Sequence, residues 1–255
     1  MGAFSRGMLA GSDGQQLLVL ARGGGRLEFR DPATGELMRT STVNGQWVYG
    51  MATLHGNHSR VAVGFSTGEI AIINLLDSEE LDCAAPLSWP GDRDEIIDLL
   101  VTRGPDPLIV AAGGSGGHLC WLHASDLREP PNRRWESGVR ALCLADGPGD
   151  ELMVFVDREG DVWSLPVNQL NDTRDWEPTL ICKTGNQEIT AIAAIRESGG
   201  LKTLTGGVDR RLEIRDNRRV LRQMYLDSWV NDIVVGGGLV TVITNLGISC
   251  YYGLL

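Results

Sequence analysis

At 255 residues and a formal charge of −10, the chain is long enough to bury a sizeable core, and its acidic balance excludes broad, nonspecific binding to nucleic acid or anionic membrane, which needs a positive field. Apolar residues at 42%, charged residues at 22% and 33 glycines describe a turn-rich folded protein rather than a disordered one. No apolar run reaches the roughly 18 residues of a membrane helix.

The opening Met1-Gly2-Ala3-Phe4-Ser5-Arg6 lacks the apolar core of a signal peptide, so a cytoplasmic location is expected. The first expected strand, 16–21, runs into a glycine turn and the segment GGGRLEFRDPATGEL (23–37). The same order then repeats. An apolar stretch at 48–54 and a strand at 60–64 lead into GFSTGEIAIINLLDSEEL (64–81), and stretches at 96–101 and 108–112 lead into GSGGHLCWLHASDL (114–127). Stretches at 141–145 and 152–156 precede DREGDVWSLPV (157–167), and 189–195 precedes GGVDRRLEIRDNRRV (206–220). Finally, 230–235 and 239–243 precede TNLGISCYYGLL (244–255). The turn residues Gly25, Gly68, Gly117, Gly160, Arg210 and Gly247 stand 43, 49, 43, 50 and 37 residues apart, a mean of about 44, which is the length of one propeller blade. Short strands with frequent turn signals and no helical stripe predict antiparallel sheets arranged radially, because a lone blade cannot hide both of its faces.

The segments LEFRDPATGEL (27–37) and LEIRDNRRVL (212–221) resemble the third strand and following turn of the WD40-repeat family. Arg30-Asp31 and Arg215-Asp216 stand where that family often has Trp-Asp. The resemblance covers essentially the whole chain. It implies one all-β domain over 1–255, a β-propeller of about six four-stranded antiparallel blades at approximately 1–43, 44–90, 91–136, 137–185, 186–227 and 228–255. The family's Gly-His dipeptide is missing from its expected place in every blade, so the His/Asp/Ser-Thr relay that braces many such blades is not expected and packing must carry more of the stability. After Tyr251-Tyr252 too few residues remain for an outer strand. Either the residues before blade one latch the ring, or the last blade is three-stranded with an open edge that could accept a partner's strand.

Several chemical motifs fail on context. Gly113-Gly114-Ser115-Gly116-Gly117 fits the nucleophile-elbow pattern, but a strand, not a helix, is expected to follow. His55 with His58, and His118 with His123, have no helix to bring both rings to one metal. Cys83, Cys120, Cys143, Cys182 and Cys250 are odd in number and form no C-x-x-C, so reduced thiols in strands are expected. Asp31-Pro32-Ala33-Thr34-Gly35-Glu36 is similar to repeats of quinone-binding propellers, but it occurs once. Asp92, Asp94, Glu95 and Asp98 lie where an inner strand should begin, the place from which a propeller hydrolase, lyase or lactonase would gather carboxylates. The matching positions, Gln46, Arg140, Glu188, Asn231 and Asp232, are mixed in sign and favour ordinary hydrogen bonding. Arg210, Arg211, Arg215, Arg218, Arg219 and Arg222 form a basic patch, read first as a solvated outer rim and otherwise as a site for an acidic partner or nucleic acid.

Trp47, Trp89, Trp135 and Trp229 lie near connections into inner strands, whereas Trp121 and Trp163 fall inside strands and are expected in the core. Gln46, Trp47, Arg93, Arg140, Glu188, Trp229 and Asn231 are therefore the candidate top-face contacts, since Trp and Arg are frequent interface anchors. The expected function is a scaffold or sensor that binds a protein or peptide across that face, as a subunit or domain of a larger assembly. Catalysis, cofactor, metal, membrane and nucleic acid are not expected. The alternative is a propeller enzyme that uses the channel carboxylates.

Overall fold

The computed structural model describes residues 4–12, 15–43, 46–54, 60–74, 81–83, 96–113, 118–125, 127, 138–146, 150–170, 177–217, 219–236 and 238–254. They form an all-β chain, with two short 3-10 turns at Gly23–Gly25 and Val167–Leu170 as its helical elements. By its contacts the chain divides into two compact units, Met1–Glu136 and Ser137–Leu255.

In the first unit, β1 (Phe4–Ser12), β2 (Gln15–Arg22), β3 (Arg26–Arg30) and β4 (Leu37–Thr42) make one antiparallel sheet in chain order. A second holds β5 (Val48–Thr53), β6 (Arg60–Phe65), β7 (Ile70–Asn74) and β8 (Leu81–Cys83), and a third β9 (Ile96–Val101), β10 (Leu108–Gly113) and β11 (His118–His123). In the second unit, β12 (Val139–Asp146), β13 (Leu152–Asp157), β14 (Asp161–Pro166) and β15 (Thr179–Lys183) are followed by β16 (Ile189–Glu197), β17 (Gly200–Gly207), β18 (Arg211–Asp216) and β19 (Arg219–Tyr225). These two meanders join through a short parallel contact between β12 and β16, at Ala145↔Ala194 and Asp146↔Ile195. A final three-stranded sheet holds β20 (Val230–Gly236), β21 (Leu239–Thr244) and β22 (Ile248–Tyr252).

Sequence pattern explains the order of the strands. Second strands such as LIVAAG in β10 and LVTVIT in β21 are buried along their whole length, as expected of short continuous apolar runs packed on both faces. Outer strands such as LMRTST in β4 alternate and stay half in water. Within each unit successive sheets pack face to face. In the first unit Val19, Leu27 and Phe29 meet Val61, Val63 and Ile73, and Ala62 and Ile72 meet Ile96, Ile109 and Leu122. In the second, Val154 and Val162 meet Ile189 and Ile192, and Leu204 and Leu212 meet Val230, Val240 and Val242. Full burial of each of these Val, Leu, Ile and Phe side chains stabilises the fold by about 1.5–3 kcal/mol. Sheets approach closely at Gly50, where a Cβ would stand 2.8 Å from the Leu99 amide nitrogen of the neighbouring sheet.

Among the described residues, the first strand of each meander carries the same irregularity. The pairing of β1, β5, β9, β12, β16 and β20 with their second strands slips by one residue at the second strand position, skipping Ser5, Tyr49, Ile97, Arg140, Thr190 and Asn231. A bulge sharpens local twist and re-aims a side chain. Its recurrence at one place in each sheet is an internal repeat that the degenerate sequence does not display.

Candidate functional site

The connections that enter the inner strands hold most of the candidate contact residues, and polar side chains pin those connections to the turns between second and third strands. In the second sheet, Gln46 donates to Glu69 Oε2 at 3.3 Å and accepts from the Thr67 hydroxyl, while the Ser66 amide donates to the Trp47 carbonyl at 2.9 Å. The Trp47 ring lies over Gly23 of the neighbouring sheet, where a Cβ would come within 2.7 Å of Cη2, yet 47% of Trp47 remains exposed. In the second unit, Thr184 Oγ1 donates to the Gly160 carbonyl at 2.6 Å and Asn186 Nδ2 to Asp209 Oδ2 at 3.0 Å. The Glu188 carbonyl accepts from the Val208 amide at 3.0 Å, leaving the Glu188 side chain exposed. Asn231 Nδ2 donates to Asn245 Oδ1 at 2.8 Å, and Trp229, two residues earlier, is 52% exposed. Arg140 is half-buried at the bulge of β12. Arg93 lies outside the described residues, as do Trp89, Trp135, Asp92, Asp94, Glu95, His55, His58 and Ser115.

Arg6 is a buried cation that the sequence reading passed over. From β1 its guanidinium donates to the Tyr49 carbonyl of β5 and, at 2.7 Å, to the Ile97 carbonyl of β9, and it lies 3.9 Å from Asp98 Oδ1. Both carbonyls belong to bulge residues, so one side chain ties together the inner strands of three sheets. Asp98 Oδ1 also accepts from the Leu99 amide at 2.9 Å.

The basic patch separates into two kinds of arginine. Arg211, Glu213 and Arg215 alternate along β18 and therefore share a face. Glu213 is buried, with Arg215 Nε paired to its Oε1 and Arg211 Nη2 3.4 Å from its Oε2. Arg211 also meets Asp209 at 3.4 Å. These two cations are internally neutralised. Arg210, in the left-handed region at φ 65, and Arg219 and Arg222 on β19 remain exposed, and Arg218 lies outside the described residues. The first sheet repeats the device. Buried Glu28 on β3 meets Arg22 at 2.7 Å, Arg30 at 2.8 Å and Arg26 at 3.8 Å. The signal for it was present as the near-identical RLEFRD (26–31) and RLEIRD (211–216), with a carboxylate between arginines two residues to each side.

Of the strand tryptophans, Trp121 is buried, and half-buried Trp163 donates through Nε1 to Asp157 Oδ2 at 2.6 Å. Asp31 closes the Asp-Pro-Ala-Thr-Gly-Glu turn by accepting from the amides of Thr34 at 2.7 Å and Ala33 at 2.8 Å, and those amides hold its carboxyl below its ordinary range. Cys120, Cys143, Cys182 and Cys250 lie in strands and form no disulfide. Burial, with Glu213 and Asp161 nearby, pushes the Cys182 thiol up, opposed by Arg215. His123 Nδ1 lies 3.2 Å from Asp106. Among the described residues no three His, Cys, Asp or Glu side chains gather as metal ligands, and no helix is long and apolar enough to cross a membrane. A cleft of about 660 Å³ opens in the second unit between Leu152, Leu180 and Ile181 on one side and Leu201, Asp216 and Arg219 on the other.

No family model matches the chain, and no curated protein matches it. Among solved structures it is similar to U3-55K, a WD40 β-propeller protein, at 14% identity over 99% of this chain and 78% of that chain, with a TM-score of 0.67. At that identity the likeness speaks for the fold alone. The architecture is all-β and propeller-like.

Proposed function

We propose that the chain is a protein-interaction scaffold, its six sheets serving as the six blades of a propeller. Its partner is a protein or peptide docked at the ends of the sheets where the inner strands begin. The observation that carries this reading is the exposure of Trp47 and Trp229, each beside a connection fixed by side-chain hydrogen bonds. A rigid aromatic left in water at a braced strand end gains area on binding without first being ordered, which is how interface anchors act. Gln46, Arg140, Glu188 and Asn231 supply the polar surround within their own units, and Arg93 is included on sequence grounds. The chain acts as a cytoplasmic subunit or domain of a larger assembly, without cofactor or catalysis. The engagement of Asp98 by Arg6 and by its own strand supports a structural use of that carboxylate.

The test is affinity capture of partners on wild-type, Trp47→Ala and Trp229→Ala chains, each checked for an unchanged melting temperature. Loss of the same protein with either variant is expected. Undiminished recovery with both would overturn the assigned surface, and a hydrolytic activity abolished by Asp94→Ala would overturn the non-catalytic reading.

A further inference from the structure

We propose that two copies of this chain associate by antiparallel pairing of β22 with β22, a contact separate from the tryptophan-bearing strand ends. Four sheets place an outer strand beside the third: β4 on β3, β8 on β7, β15 on β14 and β19 on β18. Third strands β3, β7, β11, β14 and β18 each bury three or four residues. The third strand of the last sheet, β22, buries none, and among the described residues nothing pairs with its outer edge. Tyr252 is 73% exposed, and Leu246, in the turn that leads into β22, is 77% exposed.

Exposed edges are normally guarded by charge, proline or bulges, because an unpaired row of N–H and C=O groups is a template for another strand. The outer strands β4, β15 and β19 follow that rule, with Arg39 on β4, Lys183 on β15, and Arg219 and Arg222 on β19. The β22 edge breaks it. From Ile233 to Leu255 no side chain carries a charge, and β22 contains neither proline nor glycine. In a chain of net charge −10, an uncharged apolar edge is where two like-charged copies can approach with least repulsion.

The strand is also suited to meeting itself. An antiparallel strand pair is self-complementary about a two-fold axis, and the middle residue of Ile248–Tyr252 is Cys250. Pairing centred there sets Ile248 opposite Tyr252, Ser249 opposite Tyr251, and Cys250 opposite Cys250. It uses all five residues and continues the sheet into a second copy. Opposed Cα atoms in antiparallel strands lie roughly 4.5–5.5 Å apart, a separation that a disulfide spans. The exposed Cys250 thiol thus reports the register.

Sedimentation equilibrium in reducing buffer from ~1 to ~100 µM tests the association. Wild type and Cys250→Ser are expected to rise toward twice the chain mass. Cys250→Lys, which sets two ammonium groups face to face, is expected to weaken association at least about tenfold with unchanged circular dichroism. Diamide oxidation of wild type should give a cross-linked dimer that is absent in Cys250→Ser. A wild type of single-chain mass throughout would overturn the proposal and leave the edge to another part of the chain or to a partner's strand. A dimer untouched by Cys250→Lys would place the interface elsewhere, and a lysine-sensitive dimer that never cross-links would overturn the register. Trp47→Ala and Trp229→Ala are expected to dimerise as wild type does, so loss of partner capture and loss of dimerisation are read separately.

Discussion

Replacing Glu28 by alanine tests whether the buried carboxylate is what allows three arginines from β2 and β3 to crowd around it. The carboxylate is 3% exposed, lies 2.7 Å from Arg22 Nε, and accepts from Arg30 at 3.0 Å through Nε and 2.8 Å through Nη2. Hydrogen bonds to charged groups are worth about 1.5–3 kcal/mol each, and stranding a buried charge costs about 3–5 kcal/mol. The side chains of Arg22 and Arg30 keep 17% and 23% exposure, so water can recover part of that loss, and about 3 kcal/mol is the expected cost. For a domain of this size that corresponds to a fall in melting temperature of about 6–12 °C, read by calorimetry and by urea titration. The loss should persist in high salt, because the contacts are screened little. A triple replacement of Arg22, Glu28 and Arg30 by Met, Leu and Met should melt close to wild type, since the one remaining cation, Arg26, is 52% exposed and stays in water, so no buried charge is stranded. If Glu28→Ala melts within about 1 °C of wild type, the buried cluster is not a determinant of stability and the account fails.

Two further outcomes follow from local geometry. Gly160→Ala should destabilise by more than about 2 kcal/mol, because at φ +79 its Cβ would stand 1.9 Å from the Asn186 carbonyl oxygen. Gly35→Ala, at φ +71 with open space around it, should cost only about 1 kcal/mol. Equal urea midpoints for the two would refute the close approach. Cys182 should resist a disulfide-exchange reagent near neutral pH until the chain unfolds, because its burial disfavours the thiolate. Labelling of native Cys182 at the rate of a free thiol, located by mass spectrometry, would contradict this.

The strands themselves were legible in the sequence because apolar runs and turn glycines recur at blade length and local packing enforces them. The stretches expected at 60–64, 108–112, 152–156 and 239–243 lie within β6, β10, β13 and β21, second strands whose hydrophobicity is continuous because both faces are covered. Trp121 in the core and the thiols in strands were readable for the same reason. The RLEFRD and RLEIRD segments were legible as a repeat, but their ion clusters were not. Whether a row of arginines is a basic surface or an internal counter-charge depends on which face of the strand is buried, and composition is blind to that.

Sequence by itself determined the all-β class, the blade-length period and the absence of charge after Asp232, since each is a property of residue order alone. Only tertiary structure decided that β1, β5, β9, β12, β16 and β20 bulge at their second residue, that Arg6 reaches two neighbouring strands, and that among the described residues nothing pairs with the outer edge of β22. Those facts depend on backbone register and on groups far apart in the chain, and no local pattern encodes either one. The register of each strand pair sets where its bulge falls, and the carbonyls that Arg6 binds belong to the bulge residues Tyr49 and Ile97.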